Sequence, residues 1–276
     1  APPDASGFAA GSGVAKHDDP FGCGLEFSGA WGARAGSSVA HGLKLSVAKS
    51  PFRCLEIGPS ITLAHARASD PVAATTTTTR AIGAGVEIKY KLIGGERFGL
   101  TAAFEPTIAS SRIRLSDWAT PQFLRGDGPA AGYTAKLLFD AAIAPQQLFL
   151  AVNLEQGAAF LKDNGVDCAT ASGSGWCRGS SLTLRAALSY AVVSEKFFVG
   201  VDAAHQRAYD GAFLNRAPGW AWFAGPNLFW QISDNVSFNA AFAAQLSGKA
   251  PGQTAGSLNL DQFTRYVAKA KLGWSF

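Results

Sequence analysis

Phe263 to Phe276 reads FTRYVAKAKLGWSF, and its period decides the fold. Tyr266, Ala268, Ala270, Leu272, Trp274 and Phe276 recur at every second position, with Arg265, Val267, Lys269, Lys271, Gly273 and Ser275 between them. Side chains of a strand alternate between its two faces, so one face here is apolar and the other carries the three bases. Aromatic residues close both ends of the apolar face, and small residues fill its middle. That is the pattern of a strand crossing a lipid layer between two aromatic girdles.

The same alternation continues upstream. Eleven earlier segments show it, beginning after Cys23. The clearest sets Ile82, Ala84, Val86, Ile88, Tyr90 and Leu92 against Gly83, Gly85, Glu87, Lys89 and Lys91. Others set Leu43, Leu45 and Val47 against Lys44, Leu137 and Phe139 against Lys136 and Asp140, and Val199 and Val201 against Asp202. Short connections (KSPF, IGGER, APQQ, SEK and SDN) alternate with longer ones, expected at 68–80, 112–131, 163–179, 209–219 and 249–260, with the AGSS link between the first two strands as the one short exception on the long side. A soluble sandwich has no reason to sort its loops by parity, whereas a transmembrane barrel does. The expected fold is all-β: a twelve-stranded antiparallel up-and-down transmembrane barrel over 23–276, with short periplasmic turns and long extracellular loops. Residues 1–22, rich in Ala, Gly, Pro and Asp, form an irregular periplasmic segment with room to act as a partial plug.

Composition agrees. Charged residues are 16% of 276, against about 25% in soluble domains, and no apolar run is long enough for a transmembrane helix. The net charge of +4 gives no footprint for nucleic acid. The sequence starts at Ala1 without Met, as expected of a mature exported chain whose signal peptide is gone. In such a chain four cysteines favour disulfides. Cys168 and Cys177 bracket a Ser/Gly-rich loop and form the expected local bridge, which leaves Cys23 with Cys54.

The terminal strand, with Leu272, Trp274 and a final Phe276, resembles the C-terminal signal of bacterial outer-membrane barrels. This resemblance implies an outer-membrane location in a Gram-negative cell and recognition by the barrel-assembly machinery. GPNLFWQISDNVSFNAAFAAQLSG from Gly225, followed by LNLDQFTRYVAKAKLGWSF, resembles twelve-stranded transporter-like outer-membrane proteins akin to barrels of aromatic-compound degradation pathways. It implies fold and location, and hints at uptake.

The faces turned inward carry Arg34, Lys44, Lys89, Lys91, Lys136, Arg185, Arg265, Lys269 and Lys271, with Glu26, Glu56, Glu87, Glu105, Asp140, Glu155 and Asp202. Unpaired buried charge is expensive, so these residues require water or one another. A twelve-stranded barrel falls between those that side chains fill and those that leave an open channel. Two readings stay open: a narrow passage for small solutes, anionic ones favoured by the lumen lysines, and a closed barrel that is structural or binds a partner. Arg112, Arg114 and Arg125 are expected in a loop at the mouth, as a funnel or as contacts to lipopolysaccharide phosphates among the surrounding lipids.

A third reading is a lipid hydrolase, because a twelve-stranded outer-membrane phospholipase family exists. Its His-x-Ser-Asn-Gly motif is missing here: His65 reads HARAS and His205 reads HQRAY, while His17 and His41 show no such context either. No catalytic residue, metal site or cofactor is assigned from the sequence. The threonine run Thr75–Thr79 is expected to stiffen a hairpin above the membrane.

Overall fold

The structure is a computed structural model that describes residues 22–32, 36–52, 54–70, 74–95, 97–117, 123–162, 175–250 and 258–275. Twelve strands follow one another: β1 (Gly22–Trp31), β2 (Ser37–Phe52), β3 (Leu55–Asp70), β4 (Thr75–Gly94), β5 (Phe98–Asp117), β6 (Phe123–Ala144), β7 (Leu148–Lys162), β8 (Trp176–Val193), β9 (Phe197–Asp210), β10 (Arg216–Ser233), β11 (Val236–Lys249) and β12 (Tyr266–Ser275). Each pairs antiparallel with its sequence neighbours, and β12 closes on β1 in register from Gly22↔Ser275 to Trp31↔Tyr266. Closure leaves no edge, which a sheet in lipid requires because nothing there can satisfy a free N–H or C=O.

The pleat sorts the side chains as the sequence predicts. On β4, residues 82, 84, 86, 88, 90 and 92 are exposed, and those between them are shielded. Tyr90, Phe98, Tyr190 and Trp230 ring the short-turn end on the outside, while Trp31 and Trp222 mark the far end. Trp31, Phe242 and Tyr266 cluster there with ring centroids about 6 Å apart. The short turns are tight enough to hold Cys54, Gln146 and Glu195 at positive φ.

At the opposite end two expected loops are shorter than the sequence suggests, whereas the link expected at 249–260 extends to the start of β12 at Tyr266. The wall itself continues: β4 and β5 have 20 residues each and β6 has 22, against the 9–11 that cross a bilayer. The segments expected as loops at 68–80 and 112–131 are therefore largely paired strand, with Thr75–Thr79 opposite Asp70–Ala66 and Arg112–Ser116 opposite Asp127–Phe123. Their β-branched and alternating residues suit a sheet as well above the lipid as within it.

Cys23 and Cys54 are free thiols, so the expected bridge between them does not form. Cys23 stands opposite Val47, and β2 runs on through Phe52 before the chain reaches Cys54. At about 3.3 Å per residue this exceeds the roughly 7 Å between Cα atoms that a disulfide tolerates. Cys177, at the start of β8, is disulfide-bonded, while Cys168 lies outside the described residues. So do the segment 1–21, Arg34, His17 and Phe276.

Gly225 marks a close approach between β10 and β11, where a Cβ would run into the Phe242 carbonyl and come within 2.9 Å of Ala243 Cα. Gly225→Val is expected to lower stability by about 1–3 kcal/mol through overpacking, read as an earlier urea midpoint of the refolded barrel in lipid vesicles.

Candidate functional site

The inward faces divide the lumen into two unlike walls. On β2–β6 the charges form one continuous alternating chain. Lys44 pairs with Glu105 across the intervening strands. Lys136 Nζ lies 3.4 Å from Glu105 and 2.7 Å from Glu87. Lys89 lies 3.5 Å from Glu87 and 2.9 Å from Glu56. Each base in the chain has a carboxylate within reach. The pairing offsets the desolvation that would otherwise forbid six charges on this wall. Arg185–Glu155 at 3.6 Å and Lys269–Glu26 at 3.0 Å repeat the arrangement on the flanks. Asp140 and Asp202 are also buried inward, and Asp202 accepts a 2.7 Å hydrogen bond from Asn227 Nδ2.

The opposite wall, β7–β11, sets two apolar clusters among buried polar residues such as Asn153, Thr183, Asp202 and Asn227. Phe198, 1% exposed, packs edge-on between Phe149 at 5.4 Å and Phe229 at 5.8 Å. Ala191 completes this cluster near the short turns. A second cluster of Ala204, Ala221, Phe223 and Ala243 lies toward the far end, capped by Phe263 and Val267. Sequence reasoning missed the phenylalanines, although a signal was present. Leu148-Phe149-Leu150, Phe197-Phe198 and Leu228-Phe229-Trp230 interrupt the alternation with consecutive apolar residues, which places an apolar side chain on each face.

Against the second cluster lies a small cavity of about 50 Å³ lined by Arg185, Asp202, Ala203, Ala204, Gln206, Phe223, Ala243 and Val267. Asn153 stands in register beside Arg185, and its fully buried amide has no hydrogen-bond partner among the described residues.

Residues 258–265, ahead of β12, pack as a short lid against β10 and β11 at the far end. Asn259 is wholly buried. Its Nδ2 donates to Lys249 O at 2.9 Å and Gln262 Oε1 at 2.6 Å, while its Oδ1 accepts from Gln262 N at 3.2 Å. From the barrel wall Gln245 Nε2 donates to Asn259 O at 3.0 Å. Gly248 makes room for this lid: a Cβ there would lie 2.7 Å from Asn259 N and 2.8 Å from its Cβ.

The other sequence-predicted residues fall outside this centre. Lys91 and Lys271 lie near the short turns on inward positions, and neither makes an ion pair among the described residues. Lys271 extends over Gly24. Arg265 is exposed at the mouth with its guanidinium 5.3 Å from the Tyr266 ring, so it caps the aromatic rim rather than lining the lumen. Arg112 and Arg114 are on β5 rather than in a loop, on the exposed outer parity, and Arg112 pairs with Asp127 at 3.2 Å. Arg125 is opposite Arg114 on β6. Leu272 and Trp274 belong to β12 opposite Leu25 and Cys23. His65 has His41 and Arg80 as register neighbours, and His205 lies 4.7 Å from Trp222. No seryl hydroxyl hydrogen-bonds either histidine among the described residues.

A model of a family of unknown function (DUF6662) matches residues 70–276. No curated protein matches the chain in sequence. Among solved structures, the transport unit of the autotransporter AIDA-I from Escherichia coli is similar with a TM-score of 0.63 and 10% identity, over 96% of this chain and 92% of that one. The β domain of the Bordetella autotransporter BrkA gives 0.61 and 12%, over 94% and 100%. The COG4313 outer membrane channel from Pseudomonas putida F1 gives 0.57 and 12%, over 96% and 97%. At these identities the likeness establishes the barrel fold.

Lys136 is the joint of the charge chain, since it alone contacts both Glu87 and Glu105 among the described residues. Lys136→Met is expected to cost about 3 kcal/mol, because two shielded carboxylates lose their shared cation. Chemical unfolding of the variant in vesicles measures this, and a second change, Glu87→Gln, is expected to recover part of the loss.

Proposed function

The chain belongs to DUF6662, a family of unknown function, and we propose that it is an outer-membrane channel for the passive diffusion of small solutes. The carrying observation is the unlike pair of lumen walls. A chain of inward ion pairs on β2–β6 faces phenylalanine clusters on β7–β11, so one lumen offers polar and apolar contacts together. A solute with one polar end and an apolar body finds partners on both. The cavity beside Arg185, Asp202 and Gln206, with the unengaged amide of Asn153 next to Arg185, is a polar foothold on that route.

In this reading the short turns and both chain ends of the barrel face the periplasm of a Gram-negative cell, and the lid 258–265 faces outward. The assembly machinery engages β12 through Leu272, Trp274 and Phe276 during biogenesis. Anion preference is weak and local. Lys44, Lys89, Lys136, Arg185 and Lys269 are neutralised by carboxylates, which leaves Lys91 and Lys271 near the short turns to attract an anion.

A second reading is a closed barrel without transport. The Phe149–Phe198–Phe229 cluster favours it, because these inward rings pack against one another near the short turns. The two readings differ in what the lid does. In a channel, the lid is the removable obstruction, held by hydrogen bonds of Asn259 that water can replace.

Planar-bilayer recording of the purified barrel tests this. The wild type is expected to show small, brief openings. Gly248→Val, which displaces Asn259, is expected to lengthen and enlarge them severalfold. Silence from both proteins would leave the closed reading. If current flows, Lys91→Glu with Lys271→Glu is expected to move the reversal potential toward cation preference.

A further inference from the structure

The outer face of β2–β5 carries a group of bases that the lumen does not use. His41 on β2 pairs in register with His65 on β3, His65 with Arg80 on β4, and Arg80 with Arg112 on β5. All four have the parity of the outward residues. Leu43, Leu63 and Ile82 stand two positions nearer the short turns, and Leu63 and Ile82 are 46% and 56% exposed. Two positions farther out come Arg67 and Arg114, both exposed. His65 stands ten residues along β3 from its short-turn end, and Arg80 and Arg112 stand fourteen along theirs. A bilayer is crossed in about 9–11 tilted residues, so the apolar band ends where this basic row begins.

Adjacent outward side chains in such a row lie about 5 Å apart. Like charges directly opposite one another, as Arg80 and Arg112 are, destabilise a sheet. Asp127 pairs with Arg112 on the far side from Arg80. On β1, β11 and β12 the rim is built differently, with the Trp31–Phe242–Tyr266 cluster at the corresponding boundary, while β9 sets a single exposed Arg207 there. A row of four bases across adjacent strands, above exposed leucine and isoleucine, matches a molecule that has acyl chains below and phosphate above. Arg binds phosphate through paired N–H donors, which suits two guanidinium groups facing one opening.

We propose that His41, His65, Arg80 and Arg112 form a binding shelf on the outer wall for the phosphorylated headgroup of a lipid in the surrounding leaflet. The acyl chains lie against Leu43, Leu63 and Ile82, and the phosphate oxygens accept hydrogen bonds from Arg80 and Arg112. Arg67 and Arg114 extend the shelf for a headgroup with a second phosphate.

The probe is bis-phosphorylated lipid A, with its dephosphorylated form and inorganic phosphate as comparators, binding to the refolded full chain in neutral detergent. The wild type is expected to bind phosphorylated lipid A about tenfold or more tightly than the dephosphorylated form, less so at high salt. Arg80→Gln with Arg112→Gln is expected to remove that preference while leaving the heat-modifiable gel shift of a folded barrel intact. Lys196→Gln, in a short turn at the opposite end of the barrel, is expected to change nothing. Equal binding of both lipid forms by the wild type would overturn the proposal, as would an unchanged preference in the double variant. Displacement of lipid A by millimolar inorganic phosphate would also overturn it, by showing a site for free anions instead of a lipid. Should the double variant not fold, single Arg80→Gln decides on the same criterion.

Discussion

A sheet surrounded by lipid must satisfy every backbone N–H and C=O internally, and the pairing of β12 with β1 is where this chain meets that demand. Closure fixes two other features at once. It gives each strand one face toward lipid, which must be apolar, and one toward an enclosed space. The enclosed face must pair its charges or keep them in lumen water. The alternating chain from Lys44 to Glu56 is therefore a consequence of closing a barrel over a polar lumen.

The lumen shows how much of that pairing depends on the third dimension. Lys89 and Glu56 are direct register partners on adjacent strands, and sequence period alone brings them to one face. Lys44 and Glu105 are on strands separated by two others, and their contact exists because the wall curves. Curvature also lets Phe149, Phe198 and Phe229 meet from β7, β9 and β10. A period of two predicts which way a side chain points. It does not state which inward side chains meet across a chord, and the ion-pair chain and the apolar clusters emerge only when the sheet is rolled.

Strand number, facing and aromatic girdles were all legible in the sequence, because each follows from alternation that lipid enforces on every strand. The ends of the strands were not. Above the membrane the constraint relaxes, and Arg112-Ile113-Arg114-Leu115 reads as a polar loop although it alternates with Ile113 buried inward. Asn259 carried no signal either: its burial depends on Gly248 and Gln245 from β11, and a lone Asn in a Gly/Ser-rich stretch looks like any turn residue. The cysteines were read by elimination, an argument about number that strand geometry overruled for Cys23 and Cys54.

The lumen chain and the outer shelf share strands without sharing an environment, and the pleat keeps them apart. β4 carries Lys89 inward and Arg80 outward; β5 carries Glu105 inward and Arg112 outward. A one-residue slip would exchange the faces, sending Arg80 into the lumen and Lys89 into lipid. The pairing of β3 with β4 runs without a shift from Asp70↔Thr75 to Leu55↔Tyr90, and the irregularity between β4 and β5 falls at Lys91/Ile93, nearer the short turns than either residue. The extra length of β4–β6 has a purpose in this light. It continues the register past the lipid boundary, so that the residues meeting the headgroups are held by the same ladder that sets the lumen.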